Sequence, residues 1–149
     1  MRARCTKGWN DESSDRPRVL IECTPEASPT IIASVVERHG LAVRTCVGGA
    51  ERRCDLLDHG NCALVSGADV VVNLLGQHHE TGRCIAEAVL AERRPPALVI
   101  EVPAAEASQR DQGAGEPTLL ARPLRTATLL GAIRGALTSR DALTSSRGD

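Results

Sequence analysis

Phenylalanine and tyrosine are absent from this chain, and Trp9 is its single aromatic residue. That excludes aromatic base-stacking platforms, methyl-ammonium cages and tyrosine-based acid or nucleophile chemistry from the core. Lysine is as scarce: Lys7 is the one exception among 18 basic residues, the rest being arginine. Lys7 sits in a polar N-terminal stretch and GxxxxGK[ST] does not occur, so a P-loop nucleotide site is excluded. No apolar run reaches the roughly 18 residues that a bilayer span requires. The opening MRARCTKGWNDESSDRPR (1–18) also lacks the apolar core of a signal peptide. The expectation is therefore a cytoplasmic protein with no membrane partner. With 18 basic against 19 acidic side chains, the net charge of −1 leaves no basic footprint, and no nucleic-acid partner is expected.

What is present suits one α/β domain. A chain of 149 residues has the length of one domain plus tails, and its apolar content of 42%, almost wholly aliphatic, suffices for one core. Residues 1–17 and 139–149 are polar and mixed in charge and are expected to be disordered tails around a domain at 18–138. Within it RVLIEC (18–23) reads as a strand, and Ser28-Pro29 offers an N-cap and first-turn proline for a helix. Ile32, Val35, Val36 and His39 form one face of that helix before Gly40 ends it. LAVRTC (41–46) alternates like an edge strand. The Gly-rich stretch 47–67 promises one or two irregular helical turns, and ADVVVNLL (68–75) is the unbroken Val-rich run of a central parallel strand. A helix over 80–94 stops at Pro95-Pro96, and ALVIEV (97–102) is a fourth strand. Residues 103–117 hold a short helix or a loop, TLLA (118–121) is a fifth strand, and Thr126 caps a last helix carrying Leu129, Ile133 and Leu137 on one face. Alternation of this kind predicts a doubly wound parallel sheet with its site at the C-terminal strand ends.

Order and spacing add a resemblance. LLARPLRTATLLGAIRGAL (119–137), with Arg122-Pro123 where Lys-Pro is usual, is similar to the fifth strand and last helix of the response-regulator receiver family. VLIECTP (19–25) and ADVVVNLL resemble that family's first and third strands. The resemblance implies a flavodoxin-like sheet of order 2-1-3-4-5. It also implies a phosphoacceptor Asp, two further acids holding Mg²⁺, a hydroxyl on strand four and a balancing Lys. Those positions fall on Asn73 (Leu74 if the register differs by one), Glu22 and Cys23, Val102 and Arg122. A thiol is a poor Mg²⁺ ligand, an amide cannot become an acyl phosphate, and a guanidinium is no substitute for an ammonium. The expectation is a degenerate, or pseudo-, receiver without cofactor or enzymatic activity. It would work by contact with a protein partner or a second copy through strands four and five and the last helix, where Leu124, Arg125, Leu129 and Arg134 are expected to be exposed.

Other clusters give a second reading. Cys46, Cys54 and Cys62 are spaced C-x7-C-x7-C, and Cys23 should end a neighbouring strand, so four thiols could bind zinc or iron or act as a redox sensor. Set against this, no CxxC pair exists, and cysteine also serves as a small core hydrophobe. Cys84 is expected as buried filler and Cys5 as a tail thiol. His78-His79-Glu80 is expected as a solvated loop at a helix start, and Asp55 and Asp58 as a polar loop face. CTPEASPT (23–30) has no glycine to cradle a flavin phosphate, and no GxGxxG or GxSxG occurs.

Overall fold

The computed structural model describes Trp9 and residues 15–51, 53–76, 79–109 and 117–147. Five parallel strands, β1 (Arg18–Glu22), β2 (Ala42–Cys46), β3 (Val70–Asn73), β4 (Ala97–Val102) and β5 (Thr118–Ala121), pair in the order β2-β1-β3-β4-β5. This is the flavodoxin-like order expected. The order reverses between β1 and β3, so the crevice above their C-terminal ends is the topological switch point. Every residue of β3 is buried, as a central strand covered on both faces requires.

Side chains alternate along the strands and divide the core into two layers. Val19 and Ile21 of β1 and Val70 and Val72 of β3 meet α1 (Pro29–Glu37) and α6 (Thr126–Arg147) through Val36, Leu129, Leu130 and Ile133. Leu20, Val71 and Ile100 face the other way. Three helices on that side, α2 (Asp55–His59), α3 (Ala63–Ser66) and α4 (Glu80–Leu90), contribute Leu56, Leu64, Val65, Ile85 and Val89. A short α5 (Ala104–Gln109) lies between β4 and β5. Each full Leu, Ile or Val burial stabilises by about 1.5–3 kcal/mol, so the two layers account for most of what holds the sheet. Among the described residues, no helix is long and apolar enough to cross a membrane.

Several boundaries differ from the sequence expectation. The α6 helix continues to Arg147, so the disordered tail expected from residue 139 is helical as far as that residue. Its polar composition hides the helix. A tether supports it, because Arg140 Nη1 lies 2.7 Å from Asp69 Oδ1 at the foot of β3. Thr126 is the first residue of α6 rather than its cap, since the carbonyl of Arg125 accepts the first helical bond, from Leu129 N at 2.9 Å. The α4 helix ends at Leu90, four residues before the expected Arg94. Within the expected N-terminal tail, Trp9 is packed against the α2–α4 layer. Lys7 and Cys5 lie outside the described residues.

Candidate functional site

At the C-terminal ends of the strands the register sets up a row across the sheet. Cys46 of β2 is the partner of Glu22 of β1, Glu22 of Asn73 in β3, and Asn73 of Ile100 in β4. Partners in parallel strands project from the same face, so this row looks into the layer beneath α2, α3 and α4. Its two polar members are the only buried polar or charged residues among those described: Glu22 is 2% exposed and Asn73 is fully buried.

Asn73 is the residue on which the resemblance places the expected phosphoacceptor position, at the end of β3. Both ends of its amide are engaged: Nδ2 donates to Gly82 O at 2.7 Å, and Oδ1 accepts from Leu75 N at 3.0 Å. These bonds stitch the end of β3 to the first turn of α4. Residue 82 must be glycine for the approach, because a Cβ there would stand 2.5 Å from Gly76 O and 2.9 Å from Leu75 Cβ. His79 supports the same turn from outside, its Nδ1 accepting from Gly82 N at 3.3 Å as the N-cap of α4. His79 is thus a cap rather than only a solvated loop residue, and His78 lies outside the described residues.

Among the described residues no salt bridge to Glu22 is formed. Oε2 has no hydrogen-bond partner. Burial, followed by the electrostatic influence of Cys46 and Cys62 and a hydrogen bond with Cys46, pushes its carboxyl well above the ordinary value. Burial thus favours the protonated, neutral form of Glu22. Cys23, the second position of the expected acidic pair, is fully buried in the opposite layer with Val19 and Ile21. Burial first, then Glu22 and Cys46, raises its thiol to about 11. A buried carboxyl whose charged form is disfavoured and a soft, protonated thiol on opposite faces are a poor donor pair for Mg²⁺.

Val102 and Arg122 are the remaining positions expected from the resemblance. Val102 is 1% exposed and packs in the α2–α4 layer with no hydroxyl to offer. Arg122 directly follows β5 and precedes a cis peptide to Pro123, and its Nε donates to Glu101 Oε1 at 2.9 Å. Glu101 is the feature missed from sequence: it stands one residue before Val102, inside an apolar strand, and occupies the cation expected to balance a phosphoryl charge.

The thiols divide between the layers. Cys46, Cys54 and Cys62 are buried together in the layer that Glu22 faces, whereas Cys23 is in the other. The expected set of four is therefore not gathered on one side of the sheet. Cys54 and Cys62 are the N-cap residues of α2 and α3. Burial dominates in raising Cys54 to about 11. Among the described residues, no three His, Cys, Asp or Glu side chains are gathered to hold a metal ion. Cys84 is partly exposed rather than buried filler.

On the face of β4, β5 and α6, Arg125 and Arg134 are exposed and Leu124 is half-buried. Leu129 is not available there. It is 3% exposed and packs in the core, because the helical period that puts Ile133 inside puts Leu129 one turn earlier on the same stripe. The expected patch thus reduces to Leu124, Arg125 and Arg134.

No protein-family model matches the sequence, and no curated protein matches it either. Solved structures do resemble it. The signal receiver domain of a putative LuxO repressor from Vibrio parahaemolyticus superposes with a TM-score of 0.63 at 14% identity, over 90% of this chain and 99% of that one. A response-regulator receiver domain protein from Bacillus halodurans gives 0.58 at 17%, over 81% and 97%. A CheY-like receiver domain from Methylobacillus flagellatus gives 0.56 at 15%, over 81% and 98%. At such identities the likeness shows a shared receiver fold, spanning essentially the whole of each relative.

Proposed function

We propose that this chain is a non-enzymatic, receiver-fold regulatory module that is not switched by aspartyl phosphorylation and acts through contact with another protein. The observation that carries this reading is Asn73, a fully buried amide at the end of β3 with both ends hydrogen-bonded. Phosphoryl transfer to a protein side chain of this kind needs a carboxylate nucleophile and a cation to gather the charge. Here the expected nucleophile position holds an amide, burial disfavours the charged form of Glu22, Cys23 faces away and Arg122 is paired with Glu101. The same residues give the site a structural task, which is to lock β3 to α4. Output by contact is supported by the exposure of Arg125 and Arg134 and the partial exposure of Leu124, a mixture of Arg and apolar groups common in interfaces.

The test is chemical. The purified chain is incubated with acetyl phosphate and Mg²⁺ and weighed intact. No added phosphoryl mass is expected, and a phosphoryl group mapped to a carboxylate at the strand ends overturns the proposal. In parallel, Arg125→Glu with Arg134→Glu is expected to abolish association, measured by sedimentation with a second copy or a captured partner, at unchanged thermal stability.

A further inference from the structure

The strand register leaves a gap at the foot of the sheet, at the end opposite Asn73. Thr118, the first residue of β5, is in register with Val99, so Ala97 and Leu98 at the start of β4 have no partner residue in β5. Pro117 directly precedes β5 and cannot extend the ladder, because it has no N–H to donate. A cavity of about 110 Å³ lies in this gap, between Leu90 at the end of α4 and Ala136 of α6.

Burial divides its wall into a floor and a mouth. Pro96, Leu98 and Ala136 are buried and form the floor, whereas Leu90, Pro95 and Ser139 are exposed and form a mouth open to solvent. Leu90 is a large apolar side chain left 46% exposed, and a guest in the cavity would contact it. A closed cavity of about 150 Å³ with apolar walls admits a benzene ring. This one is smaller but open on one side, so it can take an apolar body of that class and leave the head group at the rim.

The polar side chains of the wall, Thr118, Ser139 and Arg140, favour one kind of head. Two are hydroxyls that can donate and the third is a guanidinium that can only donate, a set suited to an acceptor-only carboxylate. Arg140 is held in place by Asp69, whose Oδ1 lies 2.7 Å from Arg140 Nη1 and whose Oδ2 accepts from Arg18 N at 2.8 Å. A guanidinium has the planar fork of donors to serve two carboxylates at once. At an open mouth a carboxylate also keeps part of its hydration and avoids the cost of full burial.

We propose that this cavity binds a small monocarboxylate with an apolar body of about four to seven carbons, the body on Pro96, Leu98 and Ala136 and the carboxylate at the mouth beside Ser139 and Arg140. The site lies at the other end of the sheet from Asn73 and stands whether or not the strand ends accept a phosphoryl group. Its occupant would rest against α6, the helix that also carries Arg134.

Benzoate is the probe, with benzyl alcohol as its uncharged counterpart. Each is titrated into the full chain and followed through the backbone amide NMR signals. Benzoate is expected to give saturable shifts in the millimolar range usual for so small a ligand, at Leu90, Leu98, Thr118 and Ser139 and not at Leu75 or Gly82. Benzyl alcohol on the wild type, and benzoate on Arg140→Gln, should each bind about tenfold more weakly, the loss of one charge-assisted contact. Ala136→Val narrows the floor and should abolish benzoate binding; if that variant does not fold, Arg140→Gln decides. Absence of saturable benzoate shifts at the cavity amides overturns the site, as do shifts spread over the whole molecule. Equal affinity for the two probes, or an Arg140→Gln protein that binds benzoate as the wild type does, overturns the assignment of a carboxylate ligand.

Discussion

Glu22→Gln should make the protein more stable relative to wild type as the pH rises. The carboxyl is 2% exposed and one of its oxygens has no partner. In the unfolded chain it loses its proton near its ordinary value of 4.5, whereas in the fold burial holds the proton on to far higher pH. Below both values the two states carry the same proton and no stability is lost. Between them the folded state retains a proton that the unfolded state has released, so wild-type stability falls as pH rises, by about 1.4 kcal/mol per pH unit. Glutamine is neutral throughout and lacks this slope. Urea unfolding of both proteins at pH 5, 6 and 7 should show the gap widening with pH, at up to about 1.4 kcal/mol per unit, until the folded carboxyl itself ionises. Any constant effect of the new amide beside Cys46 displaces one curve uniformly and leaves the slope intact. Parallel curves would refute the assignment of Glu22 as a buried neutral acid.

Asn73→Asp puts a carboxylate against Gly82 O in place of a donor. It should cost about 1–3 kcal/mol in urea unfolding while still accepting no phosphoryl group from acetyl phosphate; a stable and phosphorylated variant would contradict both expectations. Leu129→Ala should cost about 2–5 kcal/mol as a core truncation, against a change within about 0.5 kcal/mol for the exposed Arg134→Ala. Equal losses by calorimetry would put Leu129 at the surface after all. Arg140→Ala removes a partly exposed ion pair with Asp69, a loss of no more than about 1 kcal/mol that high salt erases. Asp69→Ala should lose more and keep its deficit in salt, because Asp69 Oδ2 also accepts from Arg18 N at 2.8 Å and that donor would be left without its acceptor.

Much of the fold is legible in the sequence because parallel strands announce themselves. VVVN and ALVIEV are continuous apolar runs, and Pro29, Gly40 and Pro95-Pro96 punctuate the helices between them. The C-terminal strand ends are legible as well, since Arg122-Pro123 follows directly on the end of β5. What the residues do there is not. Sequence spacing puts Cys23 beside Cys46, but the period of two in a strand sends Cys23 to the far layer and leaves Glu22 with the thiols. The Glu101–Arg122 pair links β4 to the end of β5, and no local pattern reveals it. Leu129 lies on the same stripe as Ile133, so its expected exposure is out of phase with the helix that buries it. Residues 139–147 show tertiary anchoring by Asp69 prevailing over weak composition. Trp9 shows the same, a single ring in a polar stretch seated by Gly67 and Leu64 from distant parts of the chain.

The most direct test of a fold without a phosphoryl switch is a titration with Mg²⁺ and beryllofluoride, which mimics a phosphoryl group on a carboxylate, followed through the backbone amide NMR signals of Leu75, Gly76 and Gly82. These amides border Asn73 and would register any anion bound at the end of β3. The expected spectrum is unchanged at saturating beryllofluoride. Saturable shifts at those three amides would contradict the central claim and establish a working phosphoacceptor site.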